Sequence, residues 1–264
     1  MNSIPKLIHL TCKKYSDIPK YSVFMTQLLK LHPGWQIKFY DDFEAREIIK
    51  ANFYDLLWLY DAYPTNIQRV DIFRIVIVYL YGGFYLDMDM YCLKKLDDLC
   101  ALNLVLGVEK NLSEEEGTAL KLPYTAIIAN YMFGSKPGHL FWIDLIESAI
   151  AVADRPVVWE DDVLNSTGPG LLSATYHLLK RNYTEIVVLD NIDRKCMKGW
   201  CKGFSCHFGD FAAHFHWGSW RWQYGGKIPR VPDSLPNKFY NKKRILNLSK
   251  KMMMLKRKLK TIKS

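Results

Sequence analysis

Apolar and polar positions along this 264-residue chain switch repeatedly between a strand period and a helix period. Ile4-Pro5-Lys6-Leu7-Ile8-His9-Leu10 is a short apolar run after a proline and predicts a first strand. Val23 to Leu31 carries a helical pattern that stops at His32-Pro33-Gly34. Trp35 to Tyr40 alternates in character and predicts a second strand, after which Asp41-Asp42 offers an N-cap for a helix over Glu44 to Ala51. Strand, helix, strand, helix at this spacing is the rhythm of an α/β fold, a mainly parallel central sheet with crossover helices.

The pattern continues in the same sense. Val70, Phe73, Ile77 and Leu80 recur at helical spacing, so Asn66 to Tyr81 reads as a long helix ended by Gly82-Gly83. Phe84-Tyr85-Leu86 is a short β-type run leading directly into Asp87-Met88-Asp89. Further strands are expected over Leu104 to Val108, over Ala126 to Gly134 as one piece, and over Ile186 to Leu189. Helices are expected from Phe141 to Ala151 and, opened by Thr167-Gly168-Pro169-Gly170, from Leu171 to Leu179. Cys196 to Trp222 is aromatic and Gly-rich without a clear period. Pro229, Pro232 and Pro236 suggest a break, dividing a domain over 1–235 from a tail over 236–264.

Composition narrows the class. With 49% apolar and 14% aromatic residues the chain has material for a large core, which excludes a disordered or collagen-like polymer. Six cysteines are too few for a disulfide-built scaffold. Apolar runs stay below the ~18 residues of a membrane span, and MNSIPKLIHL lacks the pattern of a secretory leader. The expectation is a cytoplasmic chain. The net charge of +9 is local: Lys242 to Ser264 holds ten Lys or Arg and no acid, and without them the rest stands at −1. A nucleic-acid partner is therefore not expected, and the tail lacks the interleaved aromatics of a single-strand binder.

The chemistry concentrates at Asp87 and Asp89. Two Asp in a loop are ordinarily a solvated turn. Here they follow an apolar strand, where two acids are costly without a counter-ion. Beyond a strand tip both carboxylates can reach one crevice, and Mg²⁺ or Mn²⁺ takes one or two carboxylates with phosphate and water oxygens. Upstream, Asp71 and Arg74 stand three apart on the long helix. They suit either an intrahelical ion pair or, for Arg74, a bidentate contact to phosphate.

The residues Arg69-Val70-Asp71-Ile72-Phe73-Arg74 and Tyr79-Leu80-Tyr81-Gly82-Gly83-Phe84-Tyr85-Leu86-Asp87-Met88-Asp89 resemble the core signature of glycosyltransferase family 32. This DXD family includes fungal initiating mannosyltransferases and bacterial polysaccharide enzymes, and is similar to the clostridial glucosylating toxin catalytic domain. Ile4 to His9, Asn130 with Pro137-Gly138-His139, Thr167-Gly168-Pro169, and His214-Phe215-His216-Trp217-Gly218-Ser219-Trp220 resemble further blocks in the same order. The resemblance implies a GT-A type, Rossmann-like nucleotide-diphospho-sugar transferase fold. It implies a nucleoside-diphosphate donor (a UDP- or GDP-hexose), a saccharide or lipid-linked acceptor, retention of configuration, and a role in cell-surface polysaccharide (capsule or O-antigen) biosynthesis.

By the same resemblance Asp87 would hold the donor sugar or ribose and the metal's outer shell. Asp89 would bind Mn²⁺ or Mg²⁺ directly, Asp71 and Arg74 would hold donor sugar and phosphate, and Ser219 and Trp220 would close over the diphosphate. Asn130 belongs to the same donor-side set. Leu10-Thr11 stands where the family often has Trp, which assigns Leu10 and Thr11 to the nucleotide side. His214 falls on the family's metal-ligating His, with His216 as runner-up.

Other features stay open. Cys196, Cys201 and Cys206 with His207 lack a standard zinc spacing, and unrelated thiols are the simpler reading. Glu160-Asp161-Asp162 suits an acceptor-side acid cluster or, more simply, a loop or helix cap. In the tail, Ile245, Leu248, Met252, Leu255, Leu259 and Ile262 recur at three and four residues opposite many lysines. This basic amphipathic helix could meet an anionic membrane surface from the cytoplasmic side, pack on the domain, pair in a coiled coil or stay solvated. A metal-dependent phosphoesterase or nuclease using the same acids, and a non-catalytic membrane-associated scaffold, are the alternative function classes.

Overall fold

The computed structural model describes residues 4–190, 207–216 and 242–263. The first strand, β1 (Leu7–Thr11), is followed by α1 (Ser22–Leu31), β2 (Gln36–Tyr40) and α2 (Asp42–Asn52), the order the pattern predicts. The Asp41 side chain accepts from the Glu44 amide, and Glu44 reaches back to the Asp41 amide, so α2 starts on a complete capping box. A helix the pattern left unassigned, α3 (Tyr54–Ala62), precedes the long helix α4 (Asn66–Tyr81). The α4 start is also capped reciprocally, by Thr65 and Gln68. Ile72, Phe73, Ile75, Val76, Ile77 and Val78 are all buried, so this helix lies inside the molecule rather than along its surface.

Beyond α4 come β3 (Gly83–Leu86), β4 (Met90–Cys92), β5 (Leu104–Asn111), α5 (Glu114–Ala119), β6 (Ala126–Ile128) and β7 (Met132–Ser135). They are followed by α6 (Phe141–Ala151), α7 (Glu160–Ser166), α8 (Pro169–Leu179) and β8 (Ile186–Leu189). The remaining described elements are β9 (His207–Phe208), β10 (Ala212–His214) and α9 (Lys242–Lys263). The seven-stranded sheet runs β2-β1-β3-β7-β5-β6, with β8 also beside β5. Strands β2, β3, β5 and β8 run with β1, while β6 and β7 oppose it. The expected mainly parallel sheet is therefore present, with a reversed strand inserted between β3 and β5. A small antiparallel sheet, β4-β10-β9, lies apart from it.

Strand alternation assigns the two faces. Tyr85, Phe133, Leu104 and Leu106 pack with α4, α6 and α8. Phe84, Leu86, Met132 and Val105 pack with Phe24, Met25 and Leu28 of α1 and with Phe208 and Ala212 of the small sheet. The turn from α4 into β3 depends on glycine. Gly83 has φ +90, and a Cβ there would stand 2.4 Å from the Leu7 carbonyl oxygen.

One expectation is corrected. The single strand expected over Ala126 to Gly134 is two strands, broken at Ala129-Asn130-Tyr131. The chain changes partner there: the Ala129 amide still donates to the Gly107 carbonyl of β5 at 2.8 Å, Tyr131 O already accepts from the Asp87 amide beyond β3 at 2.8 Å, and the Asn130 carbonyl between them accepts from Arg74 Nη1 at 2.5 Å. Of the readings open for the tail, packing on the domain holds for the first part of its apolar stripe. Leu248 and Met252 of α9 are buried in the core on the α6 side, with Ile245 and Leu255 packed beside them. The Glu160-Asp161-Asp162 cluster is the first turn of α7, where Asp162 accepts from the amides of Val158 and Trp159, both at 2.8 Å. Helix capping accounts for it. Cys196, Cys201, Cys206 and the three prolines lie outside the described residues.

Candidate active site

The C-terminal ends of β1, β3 and β5 open onto one cavity of about 600 Å³. Thr11 ends β1 and Cys12 to Lys14 follow it, Asp87 to Asp89 follow β3, and Glu109 stands near the end of β5. Ligands of open α/β sheets sit beyond strand tips for this reason: tip residues of neighbouring strands converge there without breaking the ladder. The N-terminal half of α4 forms another wall through Asn66, Ile67, Val70, Asp71 and Arg74, which share one helix face.

At the cavity floor Asp87, Asp89 and His214 come together, each offering a ligand atom within 4.8 Å of the others. The small sheet makes this possible. Strand β10 pairs antiparallel with β4, placing His214 opposite Met90, and the Phe215 amide donates to the Asp89 carbonyl oxygen at 3.1 Å. More than a hundred residues of separation are closed by a three-residue ladder. His214 Nε2 stands 3.2 Å from Asp89 Oδ1, while Nδ1 is buried with no hydrogen-bond partner among the described residues. Two carboxylates and an imidazole with ligand atoms gathered this closely suit a divalent ion. His216 also lines the cavity, 4.0 Å from His214 by ring centroids. It has left the strand, at φ +47, and is not in the three-ligand group.

Around this group runs a polar cage. Arg74 Nη2 is 3.3 Å from both Asp71 Oδ1 and Asp87 Oδ1, and the guanidinium lies over the Tyr85 ring at 4.6 Å. Asp71 also accepts from Asn130 Nδ2 at 3.1 Å and from Thr167 Oγ1 at 2.9 Å. Tyr85 Oη donates to Asp87 Oδ1 at 2.9 Å and lies 2.8 Å from Thr11 Oγ1. Burial pushes the Tyr85 phenol well above its ordinary pKa, so it stays a donor.

Burial also pushes Asp71 up, to about 6, with Arg74 and the Thr167 hydrogen bond pulling the other way. Asp87 moves up by burial as well, against the pull of Arg74. Burial lowers His214, but its bond to Asp89 and the two nearby acids outweigh this and the net shift is upward. A bound divalent ion would favour ionised carboxylates and a neutral imidazole.

The structure thus brings Asp71, Arg74, Asp87, Asp89, Asn130, Thr11 and His214 to one cavity. One sequence expectation changes. Leu10 points into the core with Ile8 and Phe24 and is 1% exposed, because it alternates away from Thr11 along β1. Arg74 lines the cavity, with Nη1 on the Asn130 carbonyl, Nη2 beside Asp71 and Asp87, and Nε without a hydrogen-bond partner among the described residues. Ser219 and Trp220 lie outside the described residues. Tyr85, Glu109, Lys13 and Lys14 were not singled out beforehand. Their signal was position at or next to the ends of parallel strands, visible only once strand directions are known.

A cavity at the strand tips, floored by a DXD pair and walled by a buried Asp–Arg couple, is a setting in which a divalent ion and an anionic ligand can be held together. Residues 20–106 match the family model described as "Glycosyltransferase sugar-binding region containing DXD motif". An uncharacterized glycosyltransferase of Acanthamoeba polyphaga mimivirus is 31% identical over 193 residues, 71% of each chain. Inositol phosphoceramide mannosyltransferase 3 of Schizosaccharomyces pombe is 32% identical over 171 residues, 65% of this chain and 44% of that protein. Mannosyl phosphorylinositol ceramide synthase of Saccharomyces cerevisiae is 31% identical over 179 residues, 67% of this chain and 43% of that protein. Among solved structures, PaToxG Glycosyltransferase aligns with 67% of this chain and 70% of its own, at 14% identity and a TM-score of 0.42. The chain belongs to the DXD glycosyltransferase family, family 32. It spans about half the length of the curated fungal relatives it matches.

Proposed function

We propose that the protein transfers a hexose from a nucleoside-diphosphate sugar to a hydroxyl-bearing acceptor, with retention of configuration. Asp87, Asp89 and His214 would hold the divalent ion, Mn²⁺ before Mg²⁺ because of the imidazole. When bound, the ion supplies neutralisation of the charge that grows on the diphosphate as the glycosidic bond loosens. The observation that carries this reading is the convergence of those three side chains at the strand tips.

The chain's own residues do the positioning. Arg74 fixes Asp87 and Asp71 in one arrangement, and Tyr85 donates a second bond to Asp87. Pre-set dipoles and charges of this kind need no reorganisation when the leaving group departs. Lys13 and Lys14 bring positive charge to the rim, complementary to a polyanionic donor. No protein nucleophile is assigned. The departing phosphate takes the acceptor proton on the face it leaves. Mannose is the donor sugar to test first, because two of the relatives are named for mannosyl transfer. Inositol phosphoceramide is the first acceptor, with saccharide acceptors of cell-surface polymers as the other arm.

The test is release of free hexose and nucleoside diphosphate from a panel of UDP- and GDP-sugars, with Mn²⁺ and after chelation, on the native chain and on Asp89→Ala. Activity with one donor class, dependent on the ion and absent in a folded Asp89→Ala protein, supports the proposal. A folded Asp89→Ala protein with full turnover overturns it. Cleavage of phosphodiesters without sugar release points instead to the phosphoesterase alternative.

A further inference from the structure

The last helix presents two unlike faces. On the inner one, Leu248 and Met252 enter the core, Lys256 pairs with Asp144, Lys251 pairs with Asp55, and Arg244 lies 5.8 Å from the Trp58 ring centroid. These contacts fix how α9 sits on α3 and α6. Ile245, Leu248, Met252 and Leu255, of the stripe that the sequence offers for membrane contact, are thus used in packing.

A second stripe faces outward. Leu246, Lys250 and Met253 follow one another at four and three residues, and Met254 adjoins them. Leu246, Met253 and Met254 are 53%, 45% and 54% exposed, and Lys250 is exposed. A helix that already has a core-facing side has no packing reason to keep three large apolar groups in water on the other. Charge selects the partner. Lys242 to Ser264 holds ten basic residues and no acid, whereas the rest of the chain is close to neutral. A second copy of the same helix would bring like charges together. Nucleic acid would match the charge but leave Leu246, Met253 and Met254 without an apolar environment.

We propose that the outer face of α9 docks the protein on an anionic lipid bilayer. Leu246, Met253 and Met254 enter between headgroups and the lysines meet lipid phosphates and carboxylates. This inference stands independently of the transferase reading, since no cavity residue enters it.

The experiment is flotation of the full chain with vesicles of phosphatidylcholine alone, or with about one-third phosphatidylserine. The bound fraction is expected to rise at least about fivefold on the anionic vesicles and to fall back at about 0.5 M salt. The triple variant Leu246→Ser, Met253→Ser, Met254→Ser is expected to lose binding with an unchanged thermal midpoint. Met252→Ser, by contrast, is expected to lower that midpoint. Equal binding to neutral and anionic vesicles, or no binding to either, overturns the proposal. So does a native dimer that the triple variant converts to monomer, or a preference for RNA over vesicles.

Discussion

Arg74, in the middle of α4, and Asp87, one residue beyond β3, lie 3.3 Å apart. The same guanidinium reaches Asp71 at 3.3 Å and the Asn130 carbonyl at 2.5 Å. One buried cation thus ties a helix, a strand tip and the break between β6 and β7 into a single polar unit. Removing it would leave carboxylates that burial already disfavours.

Arg74→Met is therefore expected to destabilise the fold by about 3–5 kcal/mol, the range seen when one partner of a buried pair is lost. Arg74→Lys should fall between, because it restores charge but cannot serve three acceptors in one plane. Urea denaturation at neutral pH measures both. A Met variant as stable as the native protein would show that Asp71 and Asp87 do not depend on the cation.

His214 and His216 separate by their effect on the ion. His214→Ala is expected to weaken Mn²⁺ binding by at least the roughly 10–100-fold that losing a mere outer-shell partner costs, with His216→Ala changing it far less. Isothermal titration of each variant with Mn²⁺ decides this. An inverted order would move the ligand from the end of β10 to His216, two residues beyond it.

Thr167 belongs to the turn that opens α8, yet its hydroxyl donates to Asp71 across 96 residues of sequence. Thr167→Val keeps the volume and removes the donor. The expected cost is about 1–3 kcal/mol, read from the urea midpoint, because Asp71 is left one bond short in a buried position.

His9 gives the fold a pH dependence. Burial lowers its pKa to about 4, with the bond to the Gly82 carbonyl only partly opposing this. The ring is neutral, with Nε2 2.8 Å from Gly82 O and Nδ1 3.0 Å from Tyr40 Oη. The unfolded chain takes up the proton near pH 6.5 and the folded one only near pH 4. Stability is therefore lost as pH falls through that window, by on the order of 3 kcal/mol. Urea midpoints between pH 7 and 4 should fall more steeply for the native protein than for His9→Gln.

Much of this was written in local pattern. The capped start of α2, the apolar length of α4, the Gly82-Gly83 turn and the Asp pair beyond β3 follow from side-chain period, hydrogen-bonding end residues and backbone sterics, all short-range. Three things were decided by tertiary structure. The split of Ala126–Gly134 depends on β6 pairing with β5 and β7 with β3, the Asn130 carbonyl between them going to Arg74. Arg74's surroundings depend on which acceptors packing brings to its guanidinium: Asp71, Asp87 and the Asn130 carbonyl. The face of α9 that meets the body depends on α6 being there to receive it. The sequence determined which residues carry charge, metal-ligating atoms and apolar surface. Only long-range packing decided which of them face one another, because those contacts join positions whose separation along the chain carries no periodic signal.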